Sequence, residues 1–343
     1  MIDYKPFADG VTGVLHVKWG LALTSPLFIR GTTVAAFKNT SATSSKGRGD
    51  SLEINWDVDG EAYASKNKSY SQITDFNYVF EVNNGSVSVK YDIPASSVRG
   101  TLRSAAISRL IQLDDRHAFT ISKFEEKTPE VKKFLTDQVS KAKERLQSKK
   151  DFWFDILSLF GLTLEIDEND TDPMTWAGRL KISTDISVNA GGNRLTYAGA
   201  EVPNSAGPGN ITTNISVRNP LDRVSMGAKD GGLHNWLEMS EQQHVMIDMQ
   251  ILNPRKNDFK LLSLWKDDID AGFIKFGGMT SQGRGKAKVT MENYNLYVSP
   301  KSPHHSFLTG LNKHDKALNS DLSGIWDGAS VTLSELLGYA NMA

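Results

Sequence analysis

Residues 273 to 289, FIKFGGMTSQGRGKAKV, set Gly277, Gly278, Gly283 and Gly285 among Lys275, Arg284, Lys286 and Lys288, with no acidic residue in the window. Glycine bares backbone N–H groups and Lys and Arg supply positive charge, a combination suited to phosphate oxygens. The window lacks the Gly-Lys-Ser/Thr ending of a P-loop, and a strand pattern follows it, so the dinucleotide fingerprint fails as well. Alone, it reads first as a glycine-rich turn between a helix and a strand. A second stretch, IPASSVRGTLRSA, holds Ser97, Arg99 and Arg103. Its two arginines lie four apart and so project from one face of a helix's first turns. Gly100 in that turn costs about 1 kcal/mol of helix propensity against alanine, which suits a place where another backbone comes close. Taken as a pair, the two stretches point to an extended phosphate backbone.

The formal net charge of -1 would by itself argue against nucleic acid. Local patches decide binding, however, and the charge here is uneven. From Phe28 to Gly49 the chain carries Arg30, Lys38, Lys46 and Arg48 and no acid; from Pro94 to Leu113 it carries Arg99, Arg103 and Arg109 and again no acid. Acids gather elsewhere, as in LEIDENDTD, residues 164 to 172. That run lacks the sixth-position glycine of a calcium loop and has Gly178 where the closing glutamate would stand, so it reads as a solvated turn.

Other chemistry finds little footing. There are no cysteines, which removes disulfides, zinc thiolates and thiol nucleophiles. No histidine has HExxH spacing, and neither a nucleophile elbow nor a spaced carboxylate pair for glycoside hydrolysis is present. Trp19, Trp56, Phe80, Tyr91, Trp236 and Trp265 could stack on bases, though aromatics at alternating strand positions usually belong to a core. Apolar residues at 39% and charged residues at 23% describe a globular chain. The opening MIDYKPFADG shows no secretory pattern and no apolar run approaches the roughly 20 residues of a membrane span, so a cytoplasmic location is expected.

The elements that must position these residues follow from periodicity. Leu15, Val17, Trp19, Leu21 and Leu23 alternate on one face of a strand. A polar segment from Lys38 to Asp50 reads as a loop, and YVFEVNNGSVSVKY reads as a hairpin turning at Asn84-Gly85. Val98, Leu102, Ala106, Leu110 and Leu113 then predict a helix that Ser96 or Ser97 caps. A second helix is expected from about Pro129 to Leu146, and a shorter one closes at Gly161. GRLKISTDISV, HVMIDMQIL and KAKVTMENYNLYV read as strands, and LLSLWKDDID as a short helix before the glycine-rich window. Residues 219 to 236 read as an extended hairpin, and TLSELLGYA as a short helix in an otherwise weakly patterned tail. Strands and helices mix in both halves, which fits an α+β fold.

In this order the segments resemble the RAMP superfamily of CRISPR-associated proteins, in particular backbone subunits of type III effector complexes. The matching pieces are TSPLFIRG after the first strand, IPASSVRGTLRSA, WFDILSLFG, GRLKIST, NISVRNPLDRVSMGAKDGGLHN and IKFGGMTSQGRGKAKV. The resemblance implies a modified ferredoxin-like, RRM-related core over residues 1–300. It implies a helical insertion at about 114–150, a thumb-like hairpin at about 208–236 that includes Arg223, and a C-terminal appendage at 301–343. It further implies a ribonucleoprotein whose partners are guide RNA, target RNA, other RAMP subunits and a large subunit, with no membrane. RNA would be held by Arg30, Lys46, Arg48, Ser97, Arg99, Arg103, Arg223, Lys275, Gly278, Arg284 and Lys286.

Many such subunits also cut target RNA with an aspartate after the first strand and a divalent metal, Mg2+ or Mn2+. Here Thr32 and Thr33 follow FIRG, and no acid occurs before Asp50. Asp50 is therefore the candidate catalytic and metal-binding residue, with Asp57 and Asp59 behind it; the alternative is that all three are solvated loop carboxylates of a non-cutting subunit. Two further readings stand beside this one: a guide-processing endoribonuclease built around His16, and a protein-interaction module that contacts no RNA.

Overall fold

A computed structural model describes residues 7, 10–39, 52–55, 71–83, 85–113, 158–164, 174–187, 194–197, 200–201, 212–218, 234–241, 243–311 and 326–342. The predicted helix at 129–146 lies outside them.

The core alternates strand, helix, strand, strand, helix, strand. Its elements are β1 (Gly13–Leu23), α1 (Ala95–Leu113), β2 (Leu180–Ser187), β3 (His244–Leu252), α2 (Lys256–Asp270) and β4 (Ala287–Val298). In space the strands lie antiparallel in the order β4-β1-β3-β2, with β5 (Asp327–Val331) added beside β4. This βαββαβ sequence and strand order is the ferredoxin-like arrangement, so the α+β fold with a ferredoxin-like core expected from sequence is what the chain adopts.

Alternation explains why the sheet holds. Leu15, Val17 and Trp19 of β1 are buried, as are Val245, Ile247 and Met249 of β3. Successive strand side chains point to opposite faces, so one apolar face per strand is committed to the helices. Val98, Leu102 and Ala106 of α1 and Phe259, Leu262, Trp265 and Ile269 of α2 join them in one cluster. Each fully buried aliphatic side chain contributes about 1.5–3 kcal/mol.

Two boundaries differ from the sequence reading. α1 begins at Ala95, and the Pro94 carbonyl accepts from the N–H groups of Ser97 and Val98; Ser96 and Ser97 thus sit inside the first turn and do not cap it. α2 begins five residues before LLSLWKDDID, at Lys256, because the Asp258 carboxylate accepts the Arg255 N–H at 2.8 Å and closes the first turn.

A buried ion pair fixes α2 to the strand side of the core. Arg179, immediately before β2, donates from both terminal nitrogens to Asp258 at 2.6 and 3.1 Å, and its Nε donates to Ser158 Oγ. The tail continues the same layers: β5 extends the sheet and α3 (Leu333–Asn341) packs on α2. His304 anchors it through Nε2 to the Pro254 carbonyl at 2.6 Å and Nδ1 to the Tyr339 hydroxyl at 3.1 Å.

A second sheet runs in the order 200–201, 194–197, 212–218, 234–239, 71–76, 30–39, 52–55. Thr212–Arg218 and His234–Met239 pair antiparallel up to Arg218 opposite His234, and residues 219–233 of the expected hairpin lie outside the described residues. The expected hairpin is present as Tyr78–Asn83 paired with Ser86–Tyr91, with Asn84 of its turn outside the described residues. Among the described residues no helix is long and apolar enough to cross a membrane.

Candidate nucleic-acid interface

The turn that leaves β1, residues 24–29, and the loop that leaves α2, residues 271–286, are locked together by backbone hydrogen bonds. Gly278 N–H donates to the Phe28 carbonyl at 2.8 Å, Gly285 N–H to Pro26 at 2.9 Å, and Lys286 N–H to Ser25 Oγ at 2.9 Å. Gly277 and Gly285 hold φ of 76° and 77°, the left-handed region that glycine tolerates at no steric cost. A Cβ on Gly277 would collide with the Phe28 carbonyl oxygen, and one on Gly285 with that of Phe276. These two glycines serve close packing within the chain, and the amides of Gly278, Gly283 and Gly285 already donate internally. Phosphate binding by bare loop amides, the first expectation for this window, therefore has fewer donors than the glycine count suggests.

What the loop does offer is a wall. With α1 it encloses an open groove of about 590 Å³. The helix contributes Gly100, Thr101 and Ser104; the loop contributes Lys275, Thr280 and Ser281, with Phe273 alongside. That volume lies in the roughly 300–1,000 Å³ range of ligand sites. Lys275 Nζ donates to the Thr280 carbonyl at 3.1 Å. An ammonium carries three donors, so Lys275 can serve a ligand oxygen as well. Gly100 is exposed, and a Cβ there would meet nothing within 4 Å. Its missing side chain leaves open space on the groove wall, in keeping with the close approach read from sequence.

The other candidates scatter by role. Arg99 turns inward: its two terminal nitrogens donate to the carbonyls of Leu180 at 3.1 Å and Phe160 at 2.5 Å, tying α1 to β2 and to the turn at Gly161. Gly178 must lack a side chain for this, since its Cβ would stand 2.6 Å from Arg99 Nη2. Arg103, one turn on, is half-buried, and so is Ser97. Arg284 Nε donates to Glu238 at 3.3 Å, and its guanidinium lies over the Trp236 ring, 5.9 Å from the centroid. Arg30 and Lys286 are exposed. Lys46, Arg48 and Arg223 lie outside the described residues, as do Asp50, Asp57 and Asp59. Among the described residues no three acidic or histidine side chains form a metal-holding group.

Of the aromatics named from sequence, Trp19, Tyr91, Trp236 and Trp265 are core, Trp56 lies outside the described residues, and Phe80 is 67% exposed. The aromatic that reaches the groove is Phe273, which alternation arguments about strands could not single out because it stands in a turn. His16 bonds through Nε2 to Asp248 from the next strand, on the sheet face opposite the helices.

No family model matches the chain, and no curated protein matches it. Among solved structures it is similar to a chain of a Type IV-B CRISPR complex at 11% identity and a TM-score of 0.40, over 82% of this chain and 90% of that one.

Proposed function

We propose that the chain is a guide-RNA-binding backbone subunit of a type III CRISPR effector complex, and that RNA lies in the groove between α1 and the glycine-rich loop. The observation that carries this reading is that groove: the first turns of α1 and the glycine-rich loop, far apart in sequence, line one open groove that carries Lys275 on a ferredoxin-like core. Hydroxyls of Ser104, Thr280 and Ser281 and the Lys275 ammonium suit sugar and phosphate oxygens, and interactions of that kind position a strand without reading its bases. The ordered motifs of the sequence supply the CRISPR part of the reading. The segment between Arg218 and His234, which holds Arg223, fits a thumb-like hairpin because its flanking strands pair.

Charge reversal tests the groove. Lys275→Glu should weaken single-stranded RNA binding and flatten its salt dependence, the log–log slope falling by about 0.7 for the one phosphate no longer neutralised. Unchanged affinity and slope would sink the reading in favour of an interaction module. RNA recovered with the protein from its native host should share a repeat-derived tag. Metal-dependent cutting of target RNA belongs to the same proposal through Asp50: Asp50→Ala in the assembled complex should abolish cutting at one position and leave binding intact.

A further inference from the structure

Phe273 exposes 77% of its surface on the turn that closes α2. Its backbone is nonetheless held firmly. Gly272, with φ of 73°, turns the chain, and the N–H groups of Phe273 and Ile274 both donate to the Asp268 carbonyl, at 2.8 and 3.0 Å. Ile274 is buried at 4% exposure and anchors the turn in the core, so its neighbour is left facing out. A large ring held on an anchored turn and left in water does little for this chain's own stability, because the hydrophobic gain scales with area removed from water.

The ring also has a setting. It lines the same groove as Lys275, Thr280 and the Gly100–Ser104 face of α1. An occupant must therefore offer an apolar face to Phe273 and oxygen acceptors to the ammonium and hydroxyls beside it. A nucleotide does both. An aliphatic peptide side chain would cover the ring but leave desolvated polar groups without partners, each at a cost of about 1–3 kcal/mol.

We propose that Phe273 is a stacking platform for one nucleobase of a single-stranded RNA whose sugar–phosphate chain runs through the groove; this rests on the RNA-binding reading above and adds the interaction that takes a base. Every base has a π-face, so such stacking tolerates any sequence, as a guide-binding subunit requires.

The test uses the full chain and a fluorescently labelled single-stranded RNA of mixed sequence, titrated at several salt concentrations. Phe273→Ala should weaken binding about five- to a hundred-fold, the loss typical of removing one base–aromatic stack. The slope of affinity against salt should stay that of the wild type, because every group that faces a phosphate is still present. Phe273→Trp should bind at least as tightly as the wild type, and Phe273→Leu should resemble Phe273→Ala. Thermal midpoints of all three should match the wild type, since the side chain is exposed. Wild-type affinity in Phe273→Ala overturns the stacking proposal and leaves RNA binding standing. Wild-type affinity in Phe273→Leu overturns it too, by showing plain apolar packing. A wild-type chain that binds no RNA overturns both readings together.

Discussion

Arg284 of the glycine-rich loop reaches Glu238 of the second sheet, Nε to Oε2 at 3.3 Å, and the carboxylate that receives it is buried, its residue 1% exposed. Ser216 Oγ donates to the other oxygen at 2.6 Å, and Trp236 Nε1 donates to Oε2 at 3.1 Å. Here the loop that walls the groove is joined to the strands flanking the proposed thumb. Removing that cation leaves a buried carboxylate with neutral donors, so Arg284→Ala should cost about 1–3 kcal/mol of stability by urea titration. Arg284→Lys should recover part of this at most, because an ammonium lacks the planar fork that lies over Trp236. Wild-type stability in Arg284→Ala would show that the pair contributes nothing to the fold.

Three glycines of the groove region separate packing from binding. Gly277→Ala and Gly285→Ala place a Cβ into a backbone carbonyl and demand a left-handed φ, so urea titration should show each losing more stability than the roughly 0.4–1 kcal/mol that a compatible Gly→Ala change gains. Gly100→Ala meets no atom and sits in a helix, so it should raise stability by up to about 1 kcal/mol. If RNA passes close to that helix face, the same stabilising change should weaken RNA binding. A Gly100→Ala chain both more stable and equally tight for RNA would move the RNA path away from α1.

The core is legible in the sequence where periodicity is strong. Leu15 to Leu23 alternate without a break, and that pattern identifies a strand without any knowledge of the partners of β1. The Asn84-Gly85 turn is legible for the same local reason, with Gly85 at φ of 79°. What escapes a sequence reading depends on residues distant along the chain. Arg99 and Arg103 share a helix face by spacing, yet Arg99 is claimed by carbonyls at 160 and 180, which no local rule foretells. The glycine-rich window is legible as special, but Gly277 and Gly285 answer to the β1 turn and to the loop itself rather than to a phosphate. Phe273 escapes because an aromatic in a turn carries no periodic signal.

Arg179 and Asp258 form an ion pair enclosed on every side, with side chains 0% and 1% exposed. Breaking it by Asp258→Ala would strand a guanidinium in the core and open the first turn of α2, with an expected loss of about 3–5 kcal/mol. Replacing both by apolar residues of like volume should recover much of that loss, because the desolvation of two charges is then avoided. Urea unfolding of the single and double variants checks both statements, and a double variant as unstable as Asp258→Ala would count against the second.

Asp75 makes stability depend on pH. Its carboxylate sits 3% exposed, accepting the Phe76 N–H at 2.7 Å and the Tyr91 hydroxyl at 3.3 Å. Burial raises its pKa to about 7 from an ordinary 3.8, outweighing the two hydrogen bonds that favour the charged form. Between those values the folded chain keeps a proton that the unfolded chain has released. This contribution to stability is therefore greatest at and below about pH 4 and declines as pH rises to about 7, by at most about 1.4 kcal/mol per pH unit. Above about pH 7 both states are ionised and the decline stops. Asp75→Asn keeps the acceptor oxygen and removes the titration, so its stability should exceed that of the wild type above about pH 7, with the difference shrinking as pH falls. Parallel stability curves for the two chains from acid to neutral pH would show that Asp75 does not titrate in this range.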